Sequence, residues 1–202
     1  MLNDRRQRKK NSTRQALIVS ATRLFAERGI YQTTIDEITS VADLGKGTFY
    51  KHFASREELL AMVVRQGFDL LIEDLDQELM PPPPFFQAVL ELHARFFAAH
   101  PEYLLIFHQT RGWLTMLKPD KSPIQEEFRR YIQAIADILL KANPEAHYTA
   151  ENLLALARFA AGAIAGVLSF EFTIGSGIKL DGSLKNTCTD FSRLFQDGSG
   201  SI

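Results

Sequence analysis

Apolar positions recur along this chain at intervals of three and four, with no convincing alternation at intervals of two. Leu17, Ala21, Leu24 and Phe25 share one face of a first predicted helix. It is expected to open at Ser12, with Gln15 completing a capping box, and to close at Gly29, where a left-handed cap is wanted. Thr34 with Glu37 makes a second box and opens a short helix running to about Val41. Gly45 precedes a third helix that turns Phe49 and Phe53 inward at i and i+4. Ser55 with Glu58 opens a long fourth helix, residues 55–79, with Leu60, Val63, Val64, Leu71 and Leu75 on its buried stripe. At about 1.5 Å per residue it would span roughly 35 Å, enough to reach from one domain into the next. Pro81 to Pro84 then stop it, because proline lacks the amide a helix interior needs. Helical period continues over residues 85–100, 101–117, 124–142 and 149–174. A glycine-rich break at 175–182 precedes a last predicted helix at 183–195. The fold class predicted is all-α: an N-terminal three-helix module and a C-terminal helical bundle.

The composition, 46% hydrophobic and 23% charged over 202 residues, fits one large or two small globular domains. The net charge of -1 hides a division. Residues 1–56 hold 11 Lys and Arg against 5 Asp and Glu, and the rest hold 12 against 19. A basic module on an acidic body suggests a nucleic-acid partner for the first part alone. The organisation expected is a flexible basic arm at 1–11, a DNA-binding domain at 12–55, a larger helical domain at 56–196, and a disordered polar tail at 197–202. The arm, Arg5 to Lys10, would lie along phosphates, enter a minor groove or simply solubilise. The single cysteine, Cys188, excludes a disulfide within one chain and a cysteine zinc site, and fits a reducing cytoplasm. It is expected to be an inert core or interface residue. The basic start has no apolar stretch directly after it, so no secretory signal is expected. Residues 159–170 carry no charge, but twelve residues fall short of the ~20 a membrane span needs. A buried helix is expected there.

Chemistry concentrates in the third helix. Lys46, Thr48, Tyr50, Lys51 and His52 offer donors within seven residues, directly after a glycine turn that follows a short capped helix. That is the pattern of a helix-turn-helix, whose second helix enters the major groove. Residues 12–60 also resemble the DNA-binding domain of tetracycline-repressor-type (TetR) transcriptional regulators. The resemblance is carried by Ala21 to Gly29, by Thr33-Thr34-Ile35-Asp36-Glu37-Ile38, and by Lys46-Gly47-Thr48-Phe49-Tyr50-Lys51-His52-Phe53 followed by Ser55-Arg56-Glu57-Glu58-Leu59. It covers about a quarter of the chain. Asp43 stands where that family usually has glycine, and Gly45 where it usually has serine or another cap. By position and resemblance, Lys46, Thr48 and Lys51 are candidates for bases or nearby phosphates. Thr33, Thr34, Gly47, Tyr50, His52 and Arg56 complete the candidate DNA-binding set, with Thr34, Tyr50, His52 and Arg56 as phosphate clamps.

The resemblance further implies a homodimer, built by the last two helices, and a small-molecule effector in the C-terminal domain that alters DNA binding, so that a repressor released from a palindromic operator is expected. Small residues in the 149–174 helix allow close backbone approach, and Gly162, Gly166, Phe170, Leu184, Phe191 and Phe195 are the candidate interface. Candidate ligand residues are His93, Phe96, Phe97, Tyr103, Phe107, His108, Arg111, Trp113, Phe128, Tyr131 and Phe159, with Gln109 among the interspersed polar groups: apolar walls with a few placed polar atoms suit a hydrophobic effector. No metal is expected, since His93, His100 and His108 are spaced seven and eight apart and no Glu-x-x-His occurs. No cofactor or catalysis is expected: there is no Gly-x-Ser-x-Gly and no glycine-rich phosphate loop. The alternative function is an effector-independent DNA-bound protein that recruits a protein partner through its C-terminal domain.

Overall fold

The structure is a computed structural model and describes residues 2–78, 85–117, 122–142 and 148–174. Its elements are α1 (Leu2–Arg28), α2 (Ile35–Val41), α3 (Lys46–Phe49), α4 (Arg56–Glu78), α5 (Phe85–Ala99), α6 (Pro101–Leu117), α7 (Pro123–Ala142) and α8 (Ala150–Ile174). The described residues are all-α, as the periodicity requires.

The chain divides into two compact units. One is Met1–Gly67 with Pro101–Glu127, and the other is Phe68–His100 with the chain from Phe128 onward. This differs from the division expected at residue 56. The first part of α4 and all of α6 belong with the helix-turn-helix, because α1 packs on α6 as well as on α2.

In the first unit Leu17, Ile18, Ala21, Leu24 and Phe25 of α1 are buried, with Ile38, Phe49, Phe53, Leu59, Leu60, Val63 and Val64. Gly29 takes φ +88, and its N–H reaches the Phe25 carbonyl, so the turn that ends α1 is the left-handed one a side chain resists. Thr34 caps α2 as predicted: its Oγ1 accepts from Glu37 N–H, and the Glu37 carboxylate accepts from Thr34 N–H at 2.8 Å. The box at α4 is modified. Ser55 Oγ accepts from Glu58 N–H at 3.1 Å, but the Glu58 carboxylate accepts from Ala54 N–H. Asp43 stands at φ +53 and keeps the left-handed turn that glycine would take more easily. Gly67 sets how α4 meets α6: a Cβ there would stand 2.4 Å from Tyr103 Cδ1 and 2.7 Å from Phe107 Cζ.

Residues 2–11 are not an arm. They continue α1 without a break, so Ser12 does not cap a helix start. Nothing in this stretch interrupts a helix: it has no glycine or proline, and Gln7 Nε2 donates to Asn11 Oδ1 one turn on.

In the second unit Phe68 stacks on Tyr131 (4.6 Å, 8°) and meets Phe128 edge-on (5.1 Å, 82°). Val89, Leu90, Phe96 and Phe97 of α5 are buried, and α5 packs on α8. Helix α8 is long and apolar enough to cross a membrane, with mean hydropathy 1.9. It is not the buried helix expected. Leu153, Ala157, Ala160, Ala161, Ile164 and Leu168 are buried on one side, while Leu156, Phe159, Phe170, Phe172 and Ile174 are exposed on the other. The predicted helix at 183–195 and the tail lie outside the described residues, and so do Cys188, Leu184, Phe191 and Phe195.

Candidate nucleic-acid interface

Helix α3 is held from below and open above. Phe49 and Phe53 are 0% and 1% exposed, which plants the helix on the core. Their burial leaves Lys46, Gly47, Tyr50 and Lys51 exposed, with Thr48 and His52 half-buried. Beyond its chain neighbours and its own helix backbone, nothing lies within 4 Å of where a Cβ at Gly47 would stand, so its surface is clear for an approaching group. Gly45 forms the N-cap with no side-chain bond.

The surrounding charges are arranged by specific pairs. Lys46 Nζ stands 2.9 Å from the Asp36 carboxylate, which raises the lysine pKa through its hydrogen bond and its charge. Hydrogen bonds from the Thr34 backbone and side chain hold the Glu37 carboxyl below the usual range, assisted by Arg28 at 2.7 Å. His52 Nδ1 is buried with no hydrogen-bond partner among the described residues. Burial, then Lys10, Arg14 and Lys51, push this imidazole below its ordinary value. It is neutral at pH 7 unless an anion approaches.

Two candidates are corrected. Thr33 is 1% exposed, and its Oγ1 donates to the carbonyls of Leu24 and Gly29. It fastens the turn between α1 and α2 and cannot meet DNA. The Arg56 guanidinium donates through Nη1 to the backbone carbonyls of Ile30 and Thr33, so it ties α4 to that same turn instead of reaching outward as a phosphate clamp. A contact missed from sequence is Arg14, whose guanidinium lies over the Phe53 ring at 5.0 Å. Residue type alone does not tell which face of α1 meets α3.

The candidate ligand residues are not gathered in one unit. Tyr103, Phe107, His108, Arg111 and Trp113 belong to the first and His93, Phe96, Phe97, Phe128, Tyr131 and Phe159 to the second. Tyr103 and Phe107 are buried and close over Gly67 as core. Phe159 is 49% exposed on α8, away from a buried position. Gln109 is spent on structure, its Oε1 accepting from Ile30 N–H. His93 is 2% exposed; Nδ1–H donates to the Val89 carbonyl at 2.7 Å, leaving Nε2 to accept from Tyr131 O–H at 2.6 Å. A cavity of about 30 Å³, room for one water, lies among Ile30, Tyr31, Arg56, Glu57, Leu60 and Trp113 in the first unit. The Cβ positions of Gly162 and Gly166 are open.

Residues 17–63 match the profile of the bacterial regulatory proteins of the tetR family. That segment is a DNA-binding domain of the TetR family type. Among curated relatives it is 26% identical over 130 residues to YerO, an uncharacterised helix-turn-helix transcriptional regulator of Bacillus subtilis, which covers 62% of this chain and 42% of YerO. It is 33% identical over 86 residues to the transcriptional repressor DhaR of a Mycobacterium species, covering 39% of this chain and 43% of DhaR. The chain thus spans less than half the length of these relatives. The fold extends further. The FadR regulator of Bacillus subtilis, solved in complex with stearoyl-CoA, superposes with a TM-score of 0.65 at 17% identity, over 88% of this chain and 96% of that one.

Proposed function

We propose that this protein is a cytoplasmic transcriptional repressor of the TetR family that binds a palindromic operator as a homodimer. Helix α3 enters the major groove with Lys46, Gly47, Thr48 and Lys51 toward bases and nearby phosphates, and Thr34, Tyr50 and His52 clamp the backbone. The observation that carries this reading is the set of exposed donors on α3 and just after it, Lys46, Tyr50 and Lys51, beside the buried Phe49 and Phe53. The exposed apolar side of α8, from Leu156 to Ile174, supports a two-fold partner, with Gly162 and Gly166 allowing close approach. Leu184, Phe191 and Phe195 complete that interface in this reading. An apolar small molecule then releases the operator. The stearoyl-CoA bound by the FadR neighbour is a ligand of the expected chemical kind. His93, Tyr131 and the aromatics around them are where we place its site, and no catalytic step is assigned.

The test is selection of duplex DNA by the purified protein from a random pool, followed by titration across salt concentrations and with long-chain acyl and aromatic compounds. A palindrome bound by a dimer, with Lys51→Ala weaker by on the order of 1 kcal/mol, is the expected result. A monomer with full operator affinity would overturn the dimer. The close packing of Phe68, Tyr131 and His93 favours a second reading, in which no effector enters and the C-terminal unit holds a protein partner. DNA affinity indifferent to every compound would select it.

A further inference from the structure

The opening turns of α1 being helical changes what their charges can do. A helix places Arg6, Lys10 and Arg14 one turn apart on a single stripe, about 12 Å from end to end. Arg6 and Lys10 are exposed, and neither has a carboxylate partner among the described residues. Arg14 is half-buried, because its guanidinium is seated on Phe53, the residue that anchors the end of the recognition segment. The inner end of the stripe is therefore fixed to α3's own footing. After burial, the charges of Lys10, Arg14 and Lys51 all lower the pKa of the one His52 imidazole, so the stripe and the recognition segment both stand near that side chain. Gathering like charges is unfavourable in the free protein, and a polyanion laid across them removes the repulsion.

We propose that the N-terminal turns of α1 are a phosphate rail that runs outward from the recognition helix, along which Arg6 and Lys10 hold backbone phosphates of the same duplex. The inference rests on the DNA-binding reading above and deepens it. A helix 10–12 Å across cannot thread a minor groove about 6 Å wide, so the rail touches backbone and not base edges. It adds affinity on every sequence and discriminates none.

The experiment uses the full chain, a selected operator duplex and a scrambled duplex, with log K measured against log salt concentration. The Arg6→Ala/Lys10→Ala variant loses two cations from each protomer of the dimer; it is expected to flatten the slope by about four units on both duplexes, and to weaken binding on the order of tenfold or more at 0.1 M salt. Circular dichroism and thermal midpoint should stay near those of the unaltered protein, since both side chains are exposed. Gln7→Pro keeps every charge but breaks the helix at its first turns. A rail predicts a shallower slope for Gln7→Pro as well. Slopes unchanged in the double variant overturn the rail, and so does a Gln7→Pro slope equal to that of the unaltered protein. An unaltered protein with no salt-dependent binding overturns the DNA-binding reading itself, which separates the two failures.

Discussion

Gln109 holds Ile30 by its main chain: the side-chain Oε1 on α6 accepts the Ile30 N–H at 2.9 Å. The carbonyl of the same residue accepts from Arg56 on α4. One residue just after α1 is thus gripped from two helices, and it begins the turn that leads to α2 and the recognition segment. Gln109→Leu leaves that N–H without an acceptor. It should destabilise the protein by about 1–3 kcal/mol and weaken operator binding, although residue 109 is assigned no DNA contact. Urea unfolding and gel-shift titration of the same preparation check both effects. Stability lost with operator affinity intact would show that the turn does not position α3.

Asp36 restrains Lys46 before DNA arrives. The two are paired at 2.9 Å on an exposed surface, with side-chain exposures of 54% and 69%, so the pair contributes little to folding. Its effect falls on binding, because a phosphate must displace a carboxylate that also repels it. Asp36→Asn should bind duplex DNA severalfold more tightly at low salt, with a gain that shrinks as salt rises. Affinity unchanged in 50 mM salt would mean that Lys46 faces away from the duplex.

The turn before α3 carries a residue other than the one its backbone favours. Asp43 has φ +53, where glycine meets no steric penalty. Asp43→Gly should raise the unfolding free energy by roughly 0.5–1 kcal/mol, less what glycine adds to unfolded-chain entropy. Gly45→Ser should add a few tenths more, since the position has extended backbone, nothing within 4 Å of a Cβ, and no present side-chain cap. Urea midpoints of the two single variants are the measurement, and a fall in either midpoint contradicts the account of this turn.

Stability should also depend on pH through His93. Burial pushes its pKa from 6.5 down to about 4, against a smaller opposing effect of its bond to Val89. Between those values the unfolded chain binds a proton that the folded one refuses, so stability rises with pH across this window and falls on acidification. The loss from pH 6.5 to pH 4 should be on the order of 3 kcal/mol. His93→Gln should flatten the curve there, whatever its effect at pH 7. An unfolding free energy level from pH 7 to pH 4 in the unaltered protein would refute this.

What was legible in the sequence is what short spacing encodes. The Thr34–Glu37 box, the left-handed cap at Gly29, and the inward turn of Phe49 and Phe53 depend on neighbours within four residues, and each stands where the pattern put it. The Ser12–Gln15 motif failed because a capping box marks a start only where the preceding chain leaves the helix, and Arg5 to Lys10 contain nothing to break it. Thr33 and Arg56 were misassigned for another reason. Their donors are the kind that bind phosphate, but carbonyls at Leu24, Gly29 and Ile30 take them first, and those meetings span up to 26 residues. The aromatic residues of α6 carry the same ambiguity, since helical spacing does not separate a ring that lines a pocket from one that fills a core.

Gly67 has a bearing on how this sequence can drift. Tyr103 and Phe107 occupy the space where any side chain at 67 would begin, so nineteen of the twenty amino acids require those buried rings to move. Gly45 and Gly47, by contrast, are open to solvent and can accept larger residues without collision. In descendants that keep the α6 ring pair, variation should therefore spread freely through Gly45 and Gly47 and stop at the glycine between α4 and α6. A position closed to change in the first unit is then one that lies outside the proposed DNA-contact set.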